Sequence, residues 1–254
     1  MKKIIITFLM MPLVAFAAGG NVHLDKADID LDNKESLQRG AKLFINYCLS
    51  CHSAAYMRYN RMAADLGLDD KQVQNNMLFV ADFSKLEEGE PGKVGNLMKV
   101  ALRTADAKQM FGTKVPDLTV VSRSRGADWL YTYLRTFYLD ESRPFGMNNA
   151  TFKDVGMPHV MWELEGLKKA IKETTTDENG NEKTVITGYE TVVQGKMSAV
   201  EYDDAVRDMV NFMVYMGEPA QLVRYKWGVI VLIFLLILFV PAYALKKEYW
   251  KDVH

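Results

Sequence analysis

Apolar residues recur at spacings of three and four in three stretches of the chain, and that period predicts helices. The first follows Asp32, a capping residue with Glu35 three positions on, and lines up Leu37, Ala41, Phe44, Ile45 and Cys48 on one face. The second begins near Asp128 and carries the stripe Trp129, Leu130, Tyr133, Leu134 and Phe137. The third opens on a capping box of Ser198 and Glu201 and runs through Tyr202, Ala205, Met209, Phe212, Met213 and Met216. It stops at Gly217, with Pro219 beyond. Shorter helices are expected over 54–66, 71–79 and 162–171. Alternation of period two is scarce, and residues 112–117 and 143–158 read as loops from their Gly, Pro and Asn content. One hairpin is expected, with strands at 174–176 and 183–191 around Glu178, Asn179, Gly180 and Asn181, because Asn-Gly supplies the positive backbone angles of a tight turn. The pattern predicts a mainly α fold with a small β-hairpin insertion.

Two stretches are apolar all round. Residues 4–16 come after Lys2 and Lys3 and end at the small-residue triplet Ala15-Phe16-Ala17, the order of a secretory signal with cleavage before Ala18. Residues 227–245 are uncharged and match the roughly 20 residues needed to span a bilayer. Tyr225 and Trp227 on one margin, and Tyr243, Tyr249 and Trp250 on the other, suit headgroup level. The cations divide evenly: Arg224 and Lys226 precede the run, Lys246, Lys247 and Lys251 come after it, and they do not set its orientation. The signal does, by exporting the chain from Ala18 onward. The expected division is a signal at 1–17, an exported domain at 18–223, and at 224–254 an anchor with a short cytoplasmic tail.

This division changes the charge picture. The whole chain carries a formal -1, of which Lys2 and Lys3 supply +2 and the five cations against two anions from Arg224 onward supply +3, which leaves about -6 on the exported part. That field steers a basic protein partner or simply keeps the domain soluble, and it repels nucleic acid.

The chain has 2 cysteines, and they stand as Cys48-Leu49-Ser50-Cys51-His52, the attachment pattern of a c-type haem. Two thiols three positions apart can add across the two vinyl groups of one porphyrin, each S–H becoming a thioether with its hydrogen on the neighbouring carbon. The adjacent imidazole then reaches the iron from the same side. Zinc would need further soft ligands, and the other histidines, His23, His159 and His254, are scattered. A membrane-tethered thiol-disulfide oxidoreductase would start a helix at the cysteines, where here a helix precedes them. A plain disulfide leaves His52 unexplained.

A sixth ligand distinguishes electron transfer from gas sensing or an oxidase, since a closed iron favours the former. Of 15 methionines most suit core filling, as Met209, Met213 and Met216 do on their helix face. Met157, between Gly156 and Pro158, and Met147, in Pro144-Phe145-Gly146-Met147-Asn148, both sit in the loop-like stretch, and the residues themselves leave both open.

Further segments carry a resemblance. After the haem motif come Ser53-Ala54-Ala55-Tyr56-Met57-Arg58-Tyr59, then Pro116-Asp117-Leu118, Ser122-Arg123-Ser124-Arg125-Gly126, Asp128-Trp129-Leu130, Gly156-Met157-Pro158-His159-Val160 and the ending Glu248-Tyr249-Trp250-Lys251-Asp252. Together they resemble bacterial cytochrome c1, the haem subunit of the quinol–cytochrome c reductase, or bc1 complex. The resemblance implies a cytochrome c-like haem domain with one covalently attached haem c, bound by Cys48, Cys51 and His52. It makes Met157 the sixth ligand in preference to Met147, and sets Arg125 near a haem propionate. It further implies a one-electron relay from a Rieske iron-sulfur protein to a cytochrome c, beside cytochrome b, by a subunit that is no enzyme on its own. The haem domain would stand in the periplasm, held to the bacterial inner membrane by a single pass, with the C-terminus cytoplasmic.

Overall fold

The computed structural model describes residues 23–78, 93–100, 102–176, 180 and 182–252. The expected signal at 1–17 and its cleavage point at Ala18, the helix end at Phe79, the turn residues Glu178, Asn179 and Asn181, and His254 lie outside the described residues. The described residues are mostly helical, with three two-stranded antiparallel sheets.

Helix α1 spans Lys34–Tyr47. Its cap is Asn33 rather than the expected Asp32: the Lys34 amide turns back to the Asp32 carbonyl, and the Asn33 side chain takes the Ser36 amide at 3.0 Å. Strand β1, Ala54–Arg58, replaces the first half of an expected helix and pairs with β2, Leu97–Met98. Distant partners hold it extended, since the Ala55 amide donates to Asp117 Oδ2 at 2.8 Å and the Ser53 carbonyl accepts from Leu118 at 2.9 Å. Helix α2, Tyr59–Leu66, completes that stretch. Next come α3, Asp70–Asn76, and α4, Thr104–Phe111. Helices α5, Val121–Arg125, and α6, Ala127–Leu134, continue the chain.

Strands β3, Phe137–Leu139, and β4, Met147–Asn149, form a ladder inside what reads as helix stripe and loop. Helix α7, Trp162–Glu165, is one turn long and stops short of the expected residue 171. Its stop is Gly166, where φ is +94° and a Cβ would lie 2.2 Å from the Val193 carbonyl oxygen. The chain instead enters β5, Gly166–Thr176, and returns in β6, Glu182–Gln194, so the hairpin is longer than its expected tip.

Helix α8, Ala199–Gly217, keeps the expected Ser198–Glu201 capping box and crosses α1 at the centre of the core. Phe44 meets Phe212 at 5.6 Å between ring centroids, among buried Leu37, Ile45, Leu49, Met209 and Met216. The crossing is tight because α1 offers Gly40 there: a Cβ on it would lie 2.0 Å from the Asp208 carbonyl oxygen. Arg39 brackets the same spot, its guanidinium donating to both Asp208 oxygens at 2.5 and 3.1 Å. Two bonds tie α5 and α6 to α8, Ser122 Oγ to the Met213 carbonyl and Tyr202 Oη to the Leu134 carbonyl, each at 2.9 Å.

Helix α9, Gln221–Tyr249, extends beyond the apolar run in both directions, contains Pro241 and buries none of its residues. It is long and apolar enough to cross a membrane, with a mean hydropathy of 2.8 over its most apolar 18 residues. Its first turn is tied back to the rest of the protein by Glu218, which accepts from Arg224 at 2.5 Å and lies 3.7 Å from Arg123 of α5.

Candidate functional site

The end of α1 builds one wall of the site. The last turns are closed by hydrogen bonds that the Cys48 amide donates to the Phe44 carbonyl and the Cys51 and His52 amides to the Cys48 carbonyl, which hold both cysteines and the histidine in one tight bend. Cys48 is buried, with its Sγ 3.7 Å from Met209 Sδ, while Cys51 and His52 are half-buried and neither cysteine is in a disulfide. Burial, with Cys51 adding to it, pushes the Cys48 thiol up to about 12. A reactive redox thiol needs the opposite shift, so the environment argues against thiol-disulfide exchange here.

His52 Nδ1 lies 2.8 Å from the Pro116 carbonyl oxygen, which can only accept. The contact puts the ring hydrogen on Nδ1 and leaves the Nε2 lone pair available as a ligand. Burial lowers the His52 pKa, against the smaller upward pull of the Pro116 carbonyl and Asp117, and so favours the neutral form that binds metals.

The facing wall comes from the 150–160 loop and α6. Gly156 passes close under α4, where a Cβ would be 3.2 Å from the Phe111 carbonyl oxygen. Half-buried Met157 is next, its Sδ accepting from the Tyr133 hydroxyl at 3.3 Å. Tyr133 is fixed by stacking on Trp129 at 4.9 Å and by an edge contact to Phe137 at 5.2 Å. Arg125 is exposed at the rim, with its guanidinium 5.0 Å from the Trp129 ring centroid and 5.7 Å from that of Phe152. No carboxylate among the described residues forms an ion pair with it.

Between the walls lies a cavity of about 330 Å³ lined by Cys48, His52, Arg125, Tyr133 and Met157, among others. A second of about 80 Å³ adds Cys51 and shares Cys48, His52, Pro116, Gly156 and Met157 with it. All five sequence-predicted residues therefore line one or both of two cavities that share Cys48, His52 and Met157. Met147 does not: it is buried on β4 opposite Leu139 and lines neither cavity. Among the described residues no cluster of three or more His, Cys, Asp or Glu could hold a bare metal ion. Mostly apolar walls, two thiols beside an imidazole with a free Nε2, a thioether opposite and a guanidinium at the rim fit a haem, whose ring is apolar, whose iron takes nitrogen and sulfur, and whose edge carries carboxylates.

Sequence reasoning misses Tyr133, which reads as one more member of a helix stripe, and the Pro116 carbonyl, which reads as part of a loop. Neither carries a local signal of its role, because each acts across a fold contact, over 24 residues to Met157 and 64 to His52.

A family model described as "Cytochrome C1 family" matches residues 29–253. The chain is 50% identical over 254 residues to "Cytochrome c1" of Allochromatium vinosum, covering 100% of this chain and 99% of that relative. It is 44% identical over 253 residues to "Ammonia monooxygenase gamma subunit" of Nitrosomonas europaea, with 100% and 98% coverage. It is 22% identical over 260 residues to "Cytochrome c1" of Rhodobacter capsulatus, with 86% and 83% coverage.

Proposed function

The chain belongs to the cytochrome c1 family, and on that premise we propose that it relays single electrons from a Rieske iron-sulfur protein to a cytochrome c, beside cytochrome b in a quinol–cytochrome c reductase. Membership makes it a c-type haem electron-transfer subunit. The finer reading is one haem c that Cys48 and Cys51 would hold covalently, with His52 and Met157 as the residues that would ligate its iron and Arg125 as the one that would pair with a propionate. The observation that carries it is the single cavity onto which His52, committed through Nδ1 to Pro116, and the Met157 thioether both open.

Bound there, the haem supplies a one-electron iron couple, and no side chain need act as acid, base or nucleophile. Pro116 orients the His52 ring and sets its tautomer. Tyr133 and Gly156 hold the Met157 segment against the cavity. Trp129, Leu130 and Val155 keep water from one side of it and lower the local dielectric. Arg125, exposed and unpaired with carboxylates among the described residues, has its charge free for an anionic edge.

Around that centre we read residues 18–223 as a cytochrome c-like haem domain in the periplasm, with β5 and β6 as an inserted hairpin. Residues 1–17 are its export signal, and α9, within 224–254, is its anchor in the bacterial inner membrane, with the C-terminus cytoplasmic.

Met157→Leu tests the ligand assignment. Near-equal volume keeps the packing cost below about 1.5 kcal/mol, yet the one expected donor on that side is gone. Haem attachment should survive, while the reduction potential falls, carbon monoxide gains access to the iron and electron flow to cytochrome c drops. Met147→Leu should leave all of these nearly unchanged. If the Met147 variant loses the native spectrum and the Met157 variant keeps it, the assignment must be exchanged.

A further inference from the structure

We propose that His159, Glu165 and Lys168 form a largely buried clamp that positions Met157, so that its sulfur is presented to the cavity by the fold rather than by the iron. The proposal rests on the reading of Met157 as the sixth ligand. His159 is only two residues beyond Met157, and it is 5% exposed. Its ring stacks on Phe137 at 4.9 Å with the planes 8° apart, and its Nε2 lies 2.8 Å from Glu165 Oε2. Those two atoms are buried and have no aligned hydrogen bond among the described residues, so each is the other's polar neighbour.

Glu165 is held in turn by Lys168, whose Nζ also donates to the Arg135 carbonyl at 2.6 Å. Three pieces of the fold thus converge behind the loop: the end of α6 through Arg135, α7 through Glu165 and β5 through Lys168. The other end of the loop is fixed separately. Arg143 donates to the Asp154 carbonyl, and Asn148 Oδ1 accepts the Asp154 amide, both at 2.8 Å.

The contacts close into a ring. Met157 Sδ accepts from Tyr133, Tyr133 meets Phe137 edge-on, Phe137 stacks on His159, and two peptide units return the path to Met157. A displacement of the sulfur must therefore break the Tyr133 bond, the stack or the Glu165 contact. Burying an imidazole, a carboxylate and an ammonium costs desolvation that an apolar filling would avoid. What the polar set adds is direction, because the hydrogen bonds of Lys168 to Glu165 and to the Arg135 carbonyl, with Glu165 set against His159, admit fewer geometries than an apolar contact does.

The test uses the haem-loaded full chain and tracks haem content, the long-wavelength sulfur-to-iron band of the oxidised form and carbon monoxide affinity of the reduced form. His159→Phe keeps a ring on Phe137 and removes the contact to Glu165. At unchanged haem content it should weaken the band and raise carbon monoxide affinity about tenfold, the equivalent of ~1.4 kcal/mol. His159→Gln, which retains a donor at similar reach, should restore both towards the parent. Met157→Leu should lose the band outright. An unaltered band and affinity in His159→Phe, beside a lost band in Met157→Leu, overturns the clamp and leaves the ligand standing. A retained band in Met157→Leu overturns both. Should His159→Phe fail to load haem, Glu165→Gln takes its place, with about a threefold rise in carbon monoxide affinity expected and no change overturning the clamp.

Discussion

Replacing Gly40 by alanine places a methyl group where α8 already stands. The new carbon would lie 2.0 Å from the Asp208 carbonyl oxygen, 2.6 Å from its carbon and 2.8 Å from Phe212 Cβ, against ordinary contact beginning at 3.4 Å. The first two are backbone atoms and cannot rotate away, so α1 and α8 must separate by the shortfall, about 1.4 Å. A radial gap of about 1 Å already forfeits up to half of the dispersion energy between facing side chains, and this larger one forfeits more, Phe44 against Phe212 included. Overpacking of this kind costs typically about 1–3 kcal/mol, and here backbone is pushed, so the upper end applies. The gain in helix propensity returns about 1 kcal/mol. The net is a loss of about 2 kcal/mol, which lowers Tm by roughly 4–8 °C in a domain of this size. The assay is thermal unfolding of the haem-loaded chain in detergent, monitored by circular dichroism. Gly228→Ala on exposed α9, where a Cβ meets nothing within 4 Å, is the control and should change little. A Gly40→Ala protein that melts at or above the parent would refute the close approach of the two helices.

Changing Cys48 and Cys51 together to Ala should abolish haem-dependent peroxidase stain on a denaturing gel, and stain that survives rules out attachment through these thiols. Truncation after Val223 should release a soluble, haem-bearing domain, because that part has its own capped helices and core; a truncated chain that stays on membranes contradicts the division. Asp140 accepts from the Ser142 hydroxyl, from Asn148 Nδ2 and from the Ser142 amide, and these bonds, with Lys172 nearby, hold its carboxyl down to about 2. Its folded pKa lies below the ordinary value of about 3.9, so its contribution to stability is present above about pH 4 and is lost as pH falls towards 2. Asp140→Asn should flatten that part of the denaturation profile, and an equally steep fall in the variant assigns the acid sensitivity elsewhere.

The long amphipathic helices are legible because each is decided within its own stretch: α8 has its capping box, its period and its stop in 20 consecutive residues. The shorter elements are decided by partners far along the chain. Residues 54–58 have helical composition, yet Met98 and Asp117 hold them extended. The hairpin tip announces itself through Asn-Gly, whereas its base depends on Gly166 fitting against Val193. At the site, Cys48, Cys51 and His52 are legible because bond-forming chemistry demands that spacing. Met147 and Met157 share a loop-like composition, and what separates them is a ladder contact to Leu139 for one and an open cavity for the other. Tyr133, Pro116 and His159 act through contacts that only the folded chain creates.

The unbroken helix from Gln221 to Tyr249 couples two quantities that a flexible tether would leave independent. With α9 as the proposed anchor, residues 227–245 rise about 28 Å at 1.5 Å per residue, close to the hydrocarbon thickness of ~30 Å. Residues 221–226 then form a rigid post about 9 Å tall, bolted to the head through Glu218. Along such a post, height and azimuth change together: each inserted residue lifts the head by ~1.5 Å and turns it by ~100°. Raising the cavity by a few ångströms would therefore swing its mouth away from a fixed neighbour. An insertion close to two whole turns, about seven residues, restores the heading, and it does so at a stand-off roughly 10 Å greater.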